Sequence, residues 1–174
     1  MRSLSLNARL ALDAASSDQI EAVLIEISHP DLTAPIRLST DNTERLTDDP
    51  LTYGTRSGWR GANPLNEPYL WVVAQAVVPG DDADAPAQAT LVLDNLDSAM
   101  VELLRSFTGP AQIAMAVVMA ATPDLIEGEW TGLLLTKADA DAGQIVLSLG
   151  RDEIELEPFP PGRMTRRNFP GIWS

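Results

Sequence analysis

The chain has 174 residues, the size of one ordinary domain, and 45% are apolar, which excludes wholesale disorder. With 25 acidic and 12 basic residues its net charge is −13, which argues against general binding to nucleic acid or anionic membrane. There is no cysteine and one histidine, so disulfides, thiolate zinc sites, iron–sulfur clusters and a cysteine nucleophile are excluded, and His-based catalysis is disfavoured.

Residues 4–15 predict a short helix with Leu6, Leu10 and Ala14 on one face. Asn7 and Arg9 interrupt any secretory apolar core there, and the longest uncharged apolar run, residues 113–121, is about half a membrane span. A soluble chain made in the cytoplasm is expected. Residues 22–28 are apolar and β-branched, a strand. His29-Pro30-Asp31 opens a turn, Pro35 closes it, and Ile36 and Leu38 alternate with Arg37 and Ser39 as a half-buried partner strand. His29 reads as structural. Residues 41–68 carry so many Asp, Asn, Gly and Pro breakers that a long irregular excursion is expected, of the kind that is more often functional than idle.

Residues 69–78 predict one strong strand, ended by Pro79-Gly80. An acidic loop with Asp81, Asp82 and Asp84 follows, and residues 90–93 return as a strand. Residues 96–107 form the clearest helix. Leu96, Ala99, Met100, Leu103, Leu104 and Phe107 make one stripe, Asn95 is the N-cap, and Gly109-Pro110 ends it. Residues 113–119 predict a strand, Thr122-Pro123-Asp124 a turn, and residues 125–137 a strand bent or bulged near Gly128 or Gly132. After a turn at 140–143, Ile145, Leu147 and Leu149 alternate in a last strand.

Sites of chemistry are sparse. Asp139 and Asp141 before Gly143 look faintly like a calcium loop but lack its remaining ligands, so a hairpin turn is the stronger reading. The three aspartates of the acidic loop read as a soluble tip. Glu127 and Glu129 alternate on a strand and could share a face as a carboxylate pair, with no glycosidase signature beside them. No G-x-S-x-G, Walker A or G-x-G-x-x-G occurs. Tyr69 and Trp71, two apart, are expected in the core, and loop-borne Trp59 at a contact surface. No catalytic residue, cofactor or metal is expected.

The C-terminal segment 158–174 is set apart. It holds Pro158, Pro160, Pro161 and Pro170, with Arg163, Arg166 and Arg167 and no acidic residue. The rest holds 25 acidic and 9 basic residues, a balance of −16 against +3. Phe159, Phe169, Ile172 and Trp173 are large apolar groups that should dock, on this domain or on a neighbour, because each buried side chain is worth roughly 1.5–3 kcal/mol. The division expected is therefore a β-rich domain over 1–157 and an extended docking tail over 158–174. The contact residues expected are Trp59, Arg163, Arg166, Arg167, Phe169, Ile172 and Trp173.

Two segments carry a family resemblance. One is Val78-Pro79-Gly80-Asp81, then residues 89–96 and the helix to Phe107-Thr108-Gly109-Pro110. The other is Glu157-Pro158-Phe159-Pro160, Arg163-Met164-Thr165 and Asn168-Phe169-Pro170-Gly171-Ile172. They resemble a bacteriophage and prophage family of domains encoded among the tail-tip genes of long-tailed phages. Residues 25–42 are similar to its first hairpin. The resemblance implies a tail-tube or distal-tail fold: mainly β, a sandwich or barrel with one amphipathic helix packed on it. It also implies a structural component of the tail tip, a ring of six-fold or three-fold symmetry. Its partners would be tail tube, tape measure and hub proteins, and DNA would only pass through. Acidic walls suit such a conduit. The location implied is the virion, after assembly in the host cytoplasm. A carbohydrate-binding receptor module using Trp59 and Trp130 is the alternative.

Overall fold

A computed structural model describes residues 5–77, 88–94, 109–140 and 144–150. Helix α1 spans Leu6–Asp13. Ten strands follow: β1 Glu21–Ser28, β2 Ile36–Ser39, β3 Glu44–Asp48, β4 Leu51–Thr55, β5 Tyr69–Trp71, β6 Val73–Val77, β7 Gln88–Asp94, β8 Gln112–Met119, β9 Thr122–Ala140 and β10 Gln144–Gly150. A single 3-10 turn, Trp59–Gly61, lies between β4 and β5. The helix expected over 96–107 and the segment 158–174 lie outside the described residues, as do the acidic loop and the turn at 141–143.

All ten strands form one sheet in the order β3-β4-β5-β2-β1-β8-β9-β10-β7-β6, curled into a half-barrel. The curl is forced by connectivity. β5 and β6 stand seven places apart in that order, which on a flat sheet is roughly 34 Å at ~4.8 Å per strand. Only Val72 separates Trp71 from Val73, so the chain cannot span more than about 7 Å there. The edge bearing β6 must therefore swing back to β5, and the Val72 N–H closes on Ser39 O at 2.9 Å.

Alternation in β1 assigns the two faces. Ile25 and Ile27 look into the curl with Leu38, Leu91, Leu93, Ile113, Met115, Leu133, Ile145, Leu147 and Leu149, all buried. Ala22 and Leu24 look outward to a second cluster with Ala114, Ala116, Val118, Trp59, Ala62 and Tyr69. β1 is thus buried on both faces, which explains its nearly unbroken apolar run. β10 is covered on one face and alternates strictly.

Several expectations are corrected. The excursion at 41–68 contains a hairpin, β3 with β4, in which Glu44, Arg45 and Thr47 pair with Gly54, Tyr53 and Thr52 across one register slip, between turns that look like breakers. The strand at 69–78 is two strands serving opposite ends of the sheet order. The turn expected at residues 122–124 comes earlier, at Ala120-Ala121, and Thr122 already pairs with Met119. β9 runs on for 19 residues by absorbing bulges. Its register to β8 slips at three places, between Ile113 and Met115 beside Gly132, between Val117 and Val118 beside Glu127, and between Val118 and Met119. Gly132 has φ +70, the left-handed angle such a bulge places on glycine. Helix α1 forms, capped by the Ser5 hydroxyl accepting from the Ala8 N–H. Its expected apolar face does not pack: Leu6 and Leu10 are exposed, and Ala8 is the buried residue.

Candidate functional site

The outward cluster exists because a strap, residues 57–68, lies across the convex face of β1 and β8. Its first anchor is a turn. The Gly58 N–H donates to Asp124 Oδ1 at 2.7 Å, and the Ser57 hydroxyl lies 2.9 Å from Pro123 O. The Trp59 N–H donates to the same hydroxyl at 3.1 Å. This ties the strap to the start of β9.

Its second anchor is aromatic. Trp59 is only 8% exposed, its ring 5.9 Å from that of Tyr69 at a 35° tilt. The indole Nε1–H donates to Glu129 Oε1 at 2.9 Å, and the Tyr69 hydroxyl donates to Trp59 O at 2.8 Å. Burial, then the nearby negative charge of Glu26, pushes the Tyr69 hydroxyl up to about 12, against the opposing pull of Arg37 and Arg60.

Its third anchor is ionic. Glu26 points outward from β1, is 5% exposed, and faces Arg37 directly across the β1–β2 ladder. Arg37 Nε donates to Glu26 Oε2 at 3.2 Å, and Arg60 Nε donates to Glu26 Oε1 at 2.8 Å. Arg37 continues to Glu67 Oε2 at 3.1 Å, which also accepts the Asn63 N–H at 3.1 Å. The chain Arg60–Glu26–Arg37–Glu67 thus bolts both halves of the strap to one buried carboxylate. Arg60 holds φ +56, an uncommon angle for a side-chain-bearing residue, and its ion pair is among the contacts that hold it there.

Two aromatic assignments are therefore exchanged. Trp59, expected at a contact surface, is core under its own strap. Trp71, expected in the core with Tyr69, is 40% exposed, because the strap ends before it. The other contact residues expected from sequence, Arg163, Arg166, Arg167, Phe169, Ile172 and Trp173, lie outside the described residues. Trp130 packs against the inner core, so it and Trp59 make no open aromatic platform.

Glu127 and Glu129 are not brought together as a working pair. A bulge at Glu127 breaks the alternation between them. Glu127 accepts from both the backbone N–H and the hydroxyl of Ser5, holding α1 in place, while Glu129 takes the Trp59 indole. The Asp31 N–H donates to His29 Nδ1 at 3.1 Å, shaping the turn after β1. Asp139 pairs with Lys137 at 2.6 Å. Among the described residues no group of three or more His, Asp or Glu side chains is placed to hold a metal.

The described surface instead offers apolar patches. Leu6, Leu10 and Leu12 of α1 are 73%, 60% and 68% exposed. At the end of the sheet where β2 and β5 begin, a shallow groove of about 260 Å³ is lined by Ala34, Pro35, Ile36, Arg37, Glu67, Pro68 and Leu70. Sequence reasoning missed this groove, although Pro35 and Pro68, each just before a strand, were its visible signal.

A family model described as Domain of unknown function (DUF1833) matches residues 7–153, and the chain belongs to that family. No curated protein matches the chain.

Proposed function

We propose that this DUF1833 domain is a structural, ring-forming component of the tail tip of a long-tailed bacteriophage, of distal-tail or hub type, joining the tail tube to the tip. The observation that carries the reading is the leucine face of α1. Leu6 and Leu10, four apart and exposed on one face of an eight-residue helix held at one end by Glu127, are surface suited to a protein partner. The net charge of −13 suits a channel wall that DNA passes without sticking. A structural rather than catalytic role is supported by the use of Glu127 and Glu129 as fasteners. In this reading α1 meets the next copy head-to-tail, the arrangement that closes into a ring. The arginines at 163, 166 and 167 meet acidic surface of a neighbour and orient the contact.

The test is direct. Electron microscopy of the concentrated chain and of purified phage tails should show rings of six-fold or three-fold symmetry, and mass spectrometry should find the chain in the tails. Absence from the tails, with only monomers in solution at high concentration, would end this reading.

A further inference from the structure

The groove between the starts of β2 and β5 asks for an occupant of particular size. At about 260 Å³ it is below the range of roughly 300–1,000 Å³ in which small ligands and cofactors are held. It fits a few side chains. Its walls are mostly apolar, with Leu70 42% exposed, and Glu67, 46% exposed on its side chain, stands at the rim.

Sheet register shows where the chain itself could supply them. Gly150 at the end of β10 is opposite Leu134, Leu134 is opposite Gln112, and Gln112 is opposite Ser28. Ile27, one residue before Ser28, is opposite Ile36. Gly150 and the groove therefore lie near one row of the sheet. Four strand spacings separate β10 from β2, roughly 19 Å, and the curl shortens the direct path. Eight residues lead from Gly150 to Pro158, enough to span about 26 Å extended.

What arrives there is Pro158-Phe159-Pro160-Pro161. Prolines hold such a stretch near polyproline II geometry, so little entropy is lost on docking, and proline-rich segments seat in apolar grooves as a general mode of recognition. The family match covers residues 7–153 and stops short of this segment.

We propose that the groove lined by Pro35, Ile36, Pro68 and Leu70 is the seat of the chain's own residues 158–161, with Phe159 as the inserted side chain. This stands apart from the ring reading and leaves Arg163 and the residues after it to reach further.

The chain contains no cysteine, so paired cysteines report on the seat without background. Ala34→Cys with Phe159→Cys in the full chain should form an intramolecular disulfide at least tenfold faster than Leu125→Cys with Phe159→Cys. Leu125 is exposed toward the opposite end of β9. Leu70→Asp in the first pair should abolish that advantage, with folding of each variant checked by thermal melting. Equal rates for the two pairs overturn the seat. Disulfide-linked dimers as the main product overturn it too, by showing a second copy's segment in the groove. Loss of ring assembly in an otherwise normally cross-linking chain would count against the ring alone.

Discussion

Side chains that look alike in sequence diverge according to what lies above them. Trp59 and Trp71 exchange the fates read from their positions, because burial here is decided by the strap, and a strap is a tertiary feature that no local spacing announces. Tyr69 was legible: an aromatic opening a strand beside apolar neighbours belongs in the core, and it is fully buried. Glu26 was not. It stands in an apolar run as a charge with no local partner, since its partners sit 11 and 34 residues away. Burying that carboxylate is tolerable only because two guanidiniums meet it. The Tyr69 hydroxyl carries a testable consequence. Burial and Glu26 raise it to about 12 from its ordinary 10, so the folded chain holds this proton more tightly than the unfolded chain does. The stability it contributes is whole below about pH 10 and is lost as pH rises through 12. Urea midpoints measured from neutral to strongly alkaline pH should fall in that window for the native chain. They should fall less steeply for Tyr69→Phe, and matching slopes would refute the assignment.

At the level of elements, regular alternation and turn chemistry read well. β1, β2, β7, β8 and β10 are visible as apolar or alternating runs, and glycine marks one bulge of β9. What could not be read is partnership. β5 and β6 look like one strand, because the break at Val72 is a change of neighbours rather than of residue type. The β3–β4 hairpin is hidden by its polar, exposed composition. One glycine there carries the packing of three strands. A Cβ on Gly54 would lie 2.0 Å from the backbone oxygen of Tyr69 and 2.9 Å from Leu46 Cδ1. The backbone cannot yield without prying β4 from β5, where Gly54 is opposite Leu70. Gly54→Ala should therefore destabilise the chain by at least about 2 kcal/mol in denaturant unfolding. Gly58→Ala, whose Cβ would find its nearest atom at 3.7 Å, should cost no more than about 0.5 kcal/mol. Similar costs for the two would show that β4 and β5 do not approach so closely.

For the whole molecule, charge and apolar surface pull in opposite directions. Each copy carries −13, so bringing copies together costs repulsion that acts over a Debye length. The attraction in the ring reading is short-ranged: leucines 6 and 10 of α1, with three arginines of the C-terminal segment as a lesser part. Salt separates these contributions. From about 0.01 M to about 0.5 M the screening length shrinks from ~30 Å to less than ~10 Å, which removes the repulsion and leaves burial of leucine intact. It also weakens the arginine contacts. The three arginines are outnumbered by 25 carboxylate side chains per copy, so relief of repulsion should win. Sedimentation velocity at neutral pH should then show association rising with salt, and Leu6→Ser with Leu10→Ser should abolish the rise while leaving the monomer's thermal stability nearly unchanged, because both side chains already face water. Association that falls with salt would mean that arginine–carboxylate contacts drive assembly, and the leucine face of α1 would lose its place at the subunit boundary.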